Sequence, residues 1–326
     1  MRDAVETYLR DLRTIRSTGA STKETSYYEP LATLINRVGH DLKPRVRAVF
    51  QLKNTGAGIP DGGLFSAEQL RMADTDQPLL TQTPARGVIE IKGPGDDVEA
   101  VAGTDQVAKY VDRYGQVLVT NYRDFLLVDR DHQGNIHLSE RLTLAVDEQS
   151  FWRDTATPRA FADRIGDQLA EYLHRVMVRQ VSLTQPRDVA LLLASYARDM
   201  RTRLEHQSLD DLGPMRESLE SALGISFEGE AGAHFFRSTV VQTLFYGMFS
   251  AWVLQNRGIG RGTRQDAFNW RLAGWSLKVP SIQTLFHQFT RVDPDQCETE
   301  VGASSLHSTT FKMSTSESLD KLAHEL

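Results

Sequence analysis

The spacing of apolar residues changes period several times along the chain, and each change marks an element. Residues 3–17 place Val5, Tyr8, Leu9, Leu12 and Ile15 on one face, the spacing of an amphipathic helix. A polar break runs from Ser17 to Lys23. Thr22 or Thr25 is the expected cap of a second helix, which buries Tyr28, Leu31, Leu34 and Ile35, runs to about Val38 and ends with Gly39 at C′. Val46, Ala48, Phe50 and Leu52 then alternate with polar residues, which predicts a strand. A turn at Gly56–Gly58 and a returning strand over Ile59–Phe65 complete a hairpin. The polar stretch Ser66–Pro84 holds a short helix near Ala67–Met72. Gly87–Lys92 is a short apolar strand interrupted by two charges and stopped by Gly93-Pro94-Gly95. Val98–Tyr114 has helical spacing, and strands are expected over Gln116–Thr120, Asp124–Asp129 and Ile136–Leu142. This order predicts an α/β sheet with helices packed against it.

From about Asp154 every periodic segment is helical: Phe161–Val178, Arg187–Leu204, Gly213–Leu223 and Ala231–Gln255. In the last, Phe235, Phe236, Val240, Val241, Leu244, Phe245, Met248, Phe249, Trp252 and Val253 form the expected apolar stripe. The expected organisation is an α/β domain over 1–150, an all-α domain over 151–290 and a weakly ordered, Ser/Thr-rich tail over 291–326. A last helix is expected at Ser316–Glu325.

Composition narrows the classes. At 326 residues the chain has room for two domains, and its net charge of −6 makes it no polycation. Nucleic-acid binding would therefore need local basic clusters. Arg10, Arg13, Arg16 and Lys23 form one, and Lys43, Arg45, Arg47 and Lys53 another, although a solvated face is the blander reading of each. A single cysteine, Cys297, excludes a disulfide framework and a cysteine-rich zinc site. The amino terminus lacks an apolar signal core, and no run of about 18 apolar residues occurs, so a cytoplasmic protein with no membrane partner is expected. A G-x-x-x-x-G-K-[ST] loop, an H-E-x-x-H pair and a G-x-S-x-G elbow are all missing, and RGIGRGTR (257–264) reads as a basic loop.

The remaining chemistry sits in the first half. Asp61 follows Pro60 at the start of a strand. Glu90 and Lys92 lie two apart, so on a strand they project to one side. Two carboxylates on adjacent strand ends make an oxygen-rich site suited to Mg²⁺, and the Ile91 carbonyl can add a further oxygen. A lysine beside them is placed to position a water.

Pro60, Asp61, Glu90, Ile91 and Lys92 resemble the PD-(D/E)xK nuclease superfamily. The resemblance implies a restriction-endonuclease-like mixed sheet flanked by helices, metal binding by Asp61 and Glu90, and water positioning by Lys92. Gln106-Val107-Ala108-Lys109-Tyr110 looks like the Q-x-x-x-Y element of RecB-like nucleases and type I restriction subunits, with both polar residues on one helix face. Glu24, in Glu24-Thr25-Ser26-Tyr27-Tyr28, is similar to the acidic first-helix element of those nucleases, which implies a further metal-binding acid, with Glu29 as the alternative. More widely, 1–290 resembles the N-terminal part of single-chain restriction-modification proteins. Ser238–Gly247 and Val279–Phe286 look like the helical connector that precedes their adenine-N6 methyltransferase.

These resemblances imply a Mg²⁺-dependent endonuclease module, with Mn²⁺ a possible substitute, that acts on double-stranded DNA and belongs to phage defence. No Asn-Pro-Pro-Tyr or Asp-Pro-Pro-Tyr motif is present, and the sequence from Arg291 departs from the pattern. A methyltransferase and specificity subunit would then be separate partners. The same departures favour the alternative, a non-catalytic DNA-binding or scaffolding remnant.

Overall fold

The computed structural model describes residues 1–19, 24–52, 58–73, 79, 82–131, 134–179, 186–205, 212–257, 279, 283 and 286. Thr22, Lys23, Lys53, Gly56, residues 258–264, most of 279–286, Cys297 and the 291–326 tail lie outside them. The chain divides into two compact units, Met1–Ser182 and Leu183–Leu326.

The first unit is a mixed α/β fold. Six strands run in the order β1 (Val46–Phe50), β2 (Gly62–Ser66), β3 (Val88–Ile91), β4 (Val117–Thr120), β5 (Asp124–Arg130) and β6 (Ile136–Thr143). All neighbours are antiparallel except β3 and β4, which pair in parallel with Glu90 opposite Val119. A parallel pair needs a crossover, and α4 (Val98–Ala102) with α5 (Asp105–Tyr114) supplies it. The expected single helix over 98–114 is therefore two. Gly103 ends the first, and the Thr104 hydroxyl accepts from the Val107 N–H to start the second.

Strand alternation builds two cores. Ala48, Leu64, Ile89, Ile91, Leu118, Phe125 and Leu127 face α1 (Arg2–Ser17), α2 (Tyr28–Asp41) and α7 (Pro158–Val178). Val88, Val117, Val119, Leu126 and Val128 face Val107, Tyr110, Val111 and Tyr114 of α5. In α1 the buried residues are Val5, Tyr8, Leu9 and Leu12, as its period predicts. Burying each such side chain contributes about 1.5–3 kcal/mol.

Several boundaries differ from the pattern-based expectation. The N-cap residue of α2 makes no side-chain capping hydrogen bond. Thr25 opens a 3₁₀ turn, and Tyr27 is the N-cap. Helix α2 also passes through Gly39 to Asp41, so Gly39 is not a C′ residue. It is a close-approach site, because a Cβ there would lie 2.1 Å from the Val46 carbonyl oxygen of β1. Helix α6 (Glu148–Asp154) was not expected. Asp147 caps it by accepting from the Ser150 N–H, and it buries Phe151 and Trp152. Both α6 and α7 lie in the first unit, which reaches Ser182 rather than ending near residue 150. The pattern change at Asp154 is a change of element type, not of compact unit.

The second unit contains α8 (Pro186–Glu205), α9 (Gly213–Leu223) and α10 (Gly229–Arg257) among its described residues. In α10 the buried stripe is Ala233, Phe236, Val240, Val241, Leu244, Phe245, Met248 and Ala251, while Phe235 and Phe249 are exposed. The helix follows i, i+3, i+4 spacing, narrower than the expected stripe. No helix among the described residues is long and apolar enough to cross a membrane.

Replacing Gly39 with Ala forces α2 away from β1. The expected loss is about 3 kcal/mol, the upper part of the overpacking range, read as a lowered urea midpoint. An unchanged midpoint would contradict the close helix–strand approach.

Candidate active site

β3 fixes the first part of the site. Ile89 and Ile91 enter the α1/α2/α7 core, so alternation sends Glu90 to the opposite face, the α5 side. Glu90 is only 5 % exposed. One carboxylate oxygen, Oε1, accepts from Lys92 Nζ at 2.7 Å; the other, Oε2, is buried without a hydrogen-bond partner. Lys92 Nζ also donates to the Ile91 carbonyl at 3.1 Å and lies 3.7 Å from Glu24 Oε1. Glu90, Ile91, Lys92 and Glu24 are thus together. Glu29, the alternative acid, is exposed on α2.

Asp61 joins them from the start of β2. Its Oδ2 accepts from the Ile91 N–H at 2.7 Å, and its Oδ1 accepts from the Tyr28 hydroxyl at 2.6 Å. The Asp61 carbonyl accepts from the Gln51 N–H at 2.7 Å, which closes the hairpin at that end. Both carboxylate oxygens keep further lone pairs.

Gln106 and Tyr110 pair with each other: Gln106 Nε2 donates to the Tyr110 hydroxyl at 2.8 Å. Tyr110 also backs the approach to Asp61. A Cβ at Gly58 would meet the Tyr110 ring and hydroxyl at 3.1 Å, and Gly58 has φ +106°, so glycine is required there.

Two tyrosines escaped the sequence reading as site residues. The helical spacing marks Tyr28 as core, yet its hydroxyl holds Asp61. Tyr122, in the β4–β5 turn, donates from its hydroxyl to the Glu24 carbonyl, and its own carbonyl accepts from Tyr8. The available signal was that a tyrosine on an inward face needs a partner for its hydroxyl. Tyr122 (φ 70°) and Gln51 (φ 56°) are the non-glycine residues with left-handed backbone among those described. Each such residue costs about 1–3 kcal/mol, and both touch the site.

The electrostatics follow from burial. Burial pushes the Glu90 carboxyl above the usual range; the charges of Asp61 and Glu24 add to the rise, and the Lys92 hydrogen bond opposes it. Burial acts to lower Lys92, but the Glu90 hydrogen bond and the surrounding acids outweigh it, so its pKa is raised. Tyr28 is raised by burial and then by its bond to Asp61. Tyr110 is raised by burial, against the opposing hydrogen bond from Gln106.

The donor chemistry fits a hard divalent cation. An unpartnered buried oxygen on Glu90, the Asp61 carboxylate and the Ile91 carbonyl are all oxygen donors. Among the described residues, no group of three or more His, Cys, Asp or Glu side chains is placed to hold a metal ion, so the carboxylate donors offered here are Asp61 and Glu90. An open, partly hydrated site is what Mg²⁺ tolerates, since it keeps several waters.

No family model matches the chain, and no curated protein matches it. The solved structures include a cryo-electron-microscopy structure of a DrdV–DNA complex with a TM-score of 0.32 and 14% identity; the alignment covers 100% of this chain and 27% of that one. The chain thus spans about a quarter of that neighbour's length. At this score the likeness carries no argument, and the candidate site stands on its geometry.

Glu90→Gln removes a charge whose folded-state pKa is raised. Ionised Glu90 opposes folding increasingly as pH rises from the unfolded value near about 4.3 through the folded one, and fully above it. The variant, without added metal, is therefore expected to melt higher at neutral pH, by on the order of 2–4 °C per kcal/mol relieved. The gain should vanish near pH 4. Lower stability at pH 7 would show that the Lys92 pair outweighs the burial of Glu90.

Proposed function

We propose that the first unit is a Mg²⁺-dependent DNA endonuclease module of a restriction system. The observation that carries this reading is Glu90: a buried carboxylate with an unpartnered oxygen, beside a second carboxylate held by a backbone N–H and a lysine ammonium. Folding alone gives no reason to gather these charges on an inner strand. A divalent cation or phosphodiester chemistry does.

In this reading Asp61, Glu90 and the Ile91 carbonyl hold Mg²⁺, with Glu24 as an outer acid. The bound ion supplies Lewis-acid polarisation of the phosphodiester and neutralises its charge. Lys92 gives up its contact with Glu90 and directs its ammonium at the attacking water and the phosphate. As an ammonium it orients water and stabilises charge rather than abstracting a proton. Tyr28 and the Ile91 N–H hold Asp61 in one orientation, which reduces the reorganisation needed on binding. Gln106, exposed on α5, presents its amide oxygen to the substrate, while the buried Tyr110 hydroxyl holds its amide nitrogen. DNA is the proposed substrate and Mn²⁺ a substitute ion. A separately encoded methyltransferase and specificity subunit is the proposed partner.

Asp61→Ala and Lys92→Ala are each expected to lower Mg²⁺-dependent plasmid nicking by at least about a hundredfold, with the circular dichroism spectrum retained. Assays with and without candidate partner subunits cover a module that works only in a complex. Unchanged cleavage by either variant would sink the assignment.

A further inference from the structure

The two basic clusters of the sequence have different fates in the fold. On α1, Arg13 donates to the Trp152 carbonyl at 3.2 Å. Arg16 lies 4.2 Å over the Trp152 ring and 3.5 Å from Glu148, and Arg10 sits between Glu6 and Asp11. These guanidiniums are occupied by the protein itself. Arg45 and Arg47 are exposed and, among the described residues, have no side-chain partner.

Their position is set by strand parity. Val46 and Ala48 enter the α1/α2/α7 core, so Arg45 and Arg47 project to the other face. Register carries that face across the sheet: Arg47 opposes Phe65, Gly63 opposes Val88, and Glu90 follows Val88 by two. Arg45 and Arg47 therefore share the face of Glu90 and Lys92. They also line a cleft of about 320 Å³ at the sheet edge with Asn36, His40, Val46 and Leu70. The outward backbone there is already used, because Asn36 accepts from the Ala48 N–H at 2.8 Å and donates to its carbonyl at 3.3 Å. What the edge offers is a pair of free guanidiniums. His40, the other titratable residue in the cleft, is taken by Asp41 at 3.1 Å.

We infer that the β1 edge is the seat for the sugar-phosphate backbone of duplex DNA, with Arg45 and Arg47 contacting alternate phosphates on one strand. This rests on the nuclease reading for its direction, since it places the charges beside the cutting site. Phe50 pairs with Gly62, next to Asp61. Arg47 and Arg45 lie three and five residues back along the strand, roughly 10 and 17 Å at about 3.3 Å per residue. DNA advances about 3.4 Å per nucleotide on one strand. The contacted phosphates are thus about three and five nucleotides from the one that is cut.

The test is fluorescence anisotropy of the full chain on a labelled duplex in EDTA, where cleavage is off. Arg45→Ala/Arg47→Ala is expected to weaken binding about tenfold or more at 100 mM salt and to reduce the slope of log K against log salt by about 1.8. Arg45→Lys/Arg47→Lys should bind within about threefold of wild type, which separates lost charge from lost fold. Arg10→Ala should bind as wild type. Unchanged affinity and slope in the double-alanine protein, or no wild-type binding at low salt, overturns the proposal, and a patch for an acidic protein would give the first result. Asp61→Ala, measured alongside, keeps its DNA affinity while losing nicking. Failure of the seat and failure of the nuclease site are therefore read separately.

Discussion

A carboxylate on an inner strand of a sheet has to be compensated, and that constraint organises the first unit. β3 is the third of six strands and is buried along its whole length. With Ile89 and Ile91 committed to one core, Glu90 has only the other layer to enter. Withdrawing a carboxylate from water costs several kcal/mol unless partners replace the water. Lys92 replaces part of it, and Oε2 is left over. The neighbours add to the repulsion: Asp61 is pinned by the strand's own N–H, and Glu24 is held through its carbonyl by the Tyr122 hydroxyl. The start of β2 and the end of β3 meet at this one place, with Glu24 beside them.

Much of this was readable in the sequence, for a definite reason. Faces follow from periodicity, so the α1 core residues, the β1 alternation and the shared side of Glu90 and Lys92 could be stated without coordinates. Distances do not follow from periodicity. Nothing in the local pattern distinguishes Gly39 as a contact with β1 from Gly39 as a helix stop. Nor does any pattern show that the Tyr28 hydroxyl ends on Asp61. The break at Gly103–Thr104 and the Asp147 cap had local signals, a glycine followed by capping residues, but the apolar spacing around them outweighed those signals. In α10 ten apolar residues were read as one stripe, and the fold buries only part of it. The helical run after Asp154 misled about the boundary because α7 belongs to the core beneath the sheet.

The fold also accounts for how the acids are held in place. Gln51 and Tyr122 adopt left-handed backbone conformations that ordinary side chains avoid, and each grips a segment bearing an acid. The Tyr122 turn is itself fastened, since Asn121 accepts from the Asp124 and Arg123 N–H groups, and Thr120 donates to the Asp124 carbonyl. Local strain is therefore balanced by hydrogen bonds a few residues away, and the acidic groups are placed before anything binds. Such preorganisation makes electrostatic contacts effective, because no reorientation is needed when charge arrives.

The Asn36 amide has a consequence beyond its own strand. An outer β-strand normally displays a row of open N–H and C=O groups, a template on which another chain can add a strand and begin to aggregate. By engaging both groups of Ala48 from α2, Asn36 closes the middle of that template. The flanking arginines add like-charge repulsion between copies. The sheet can thus keep an accessible, positively charged border without that border becoming a seed for polymerisation.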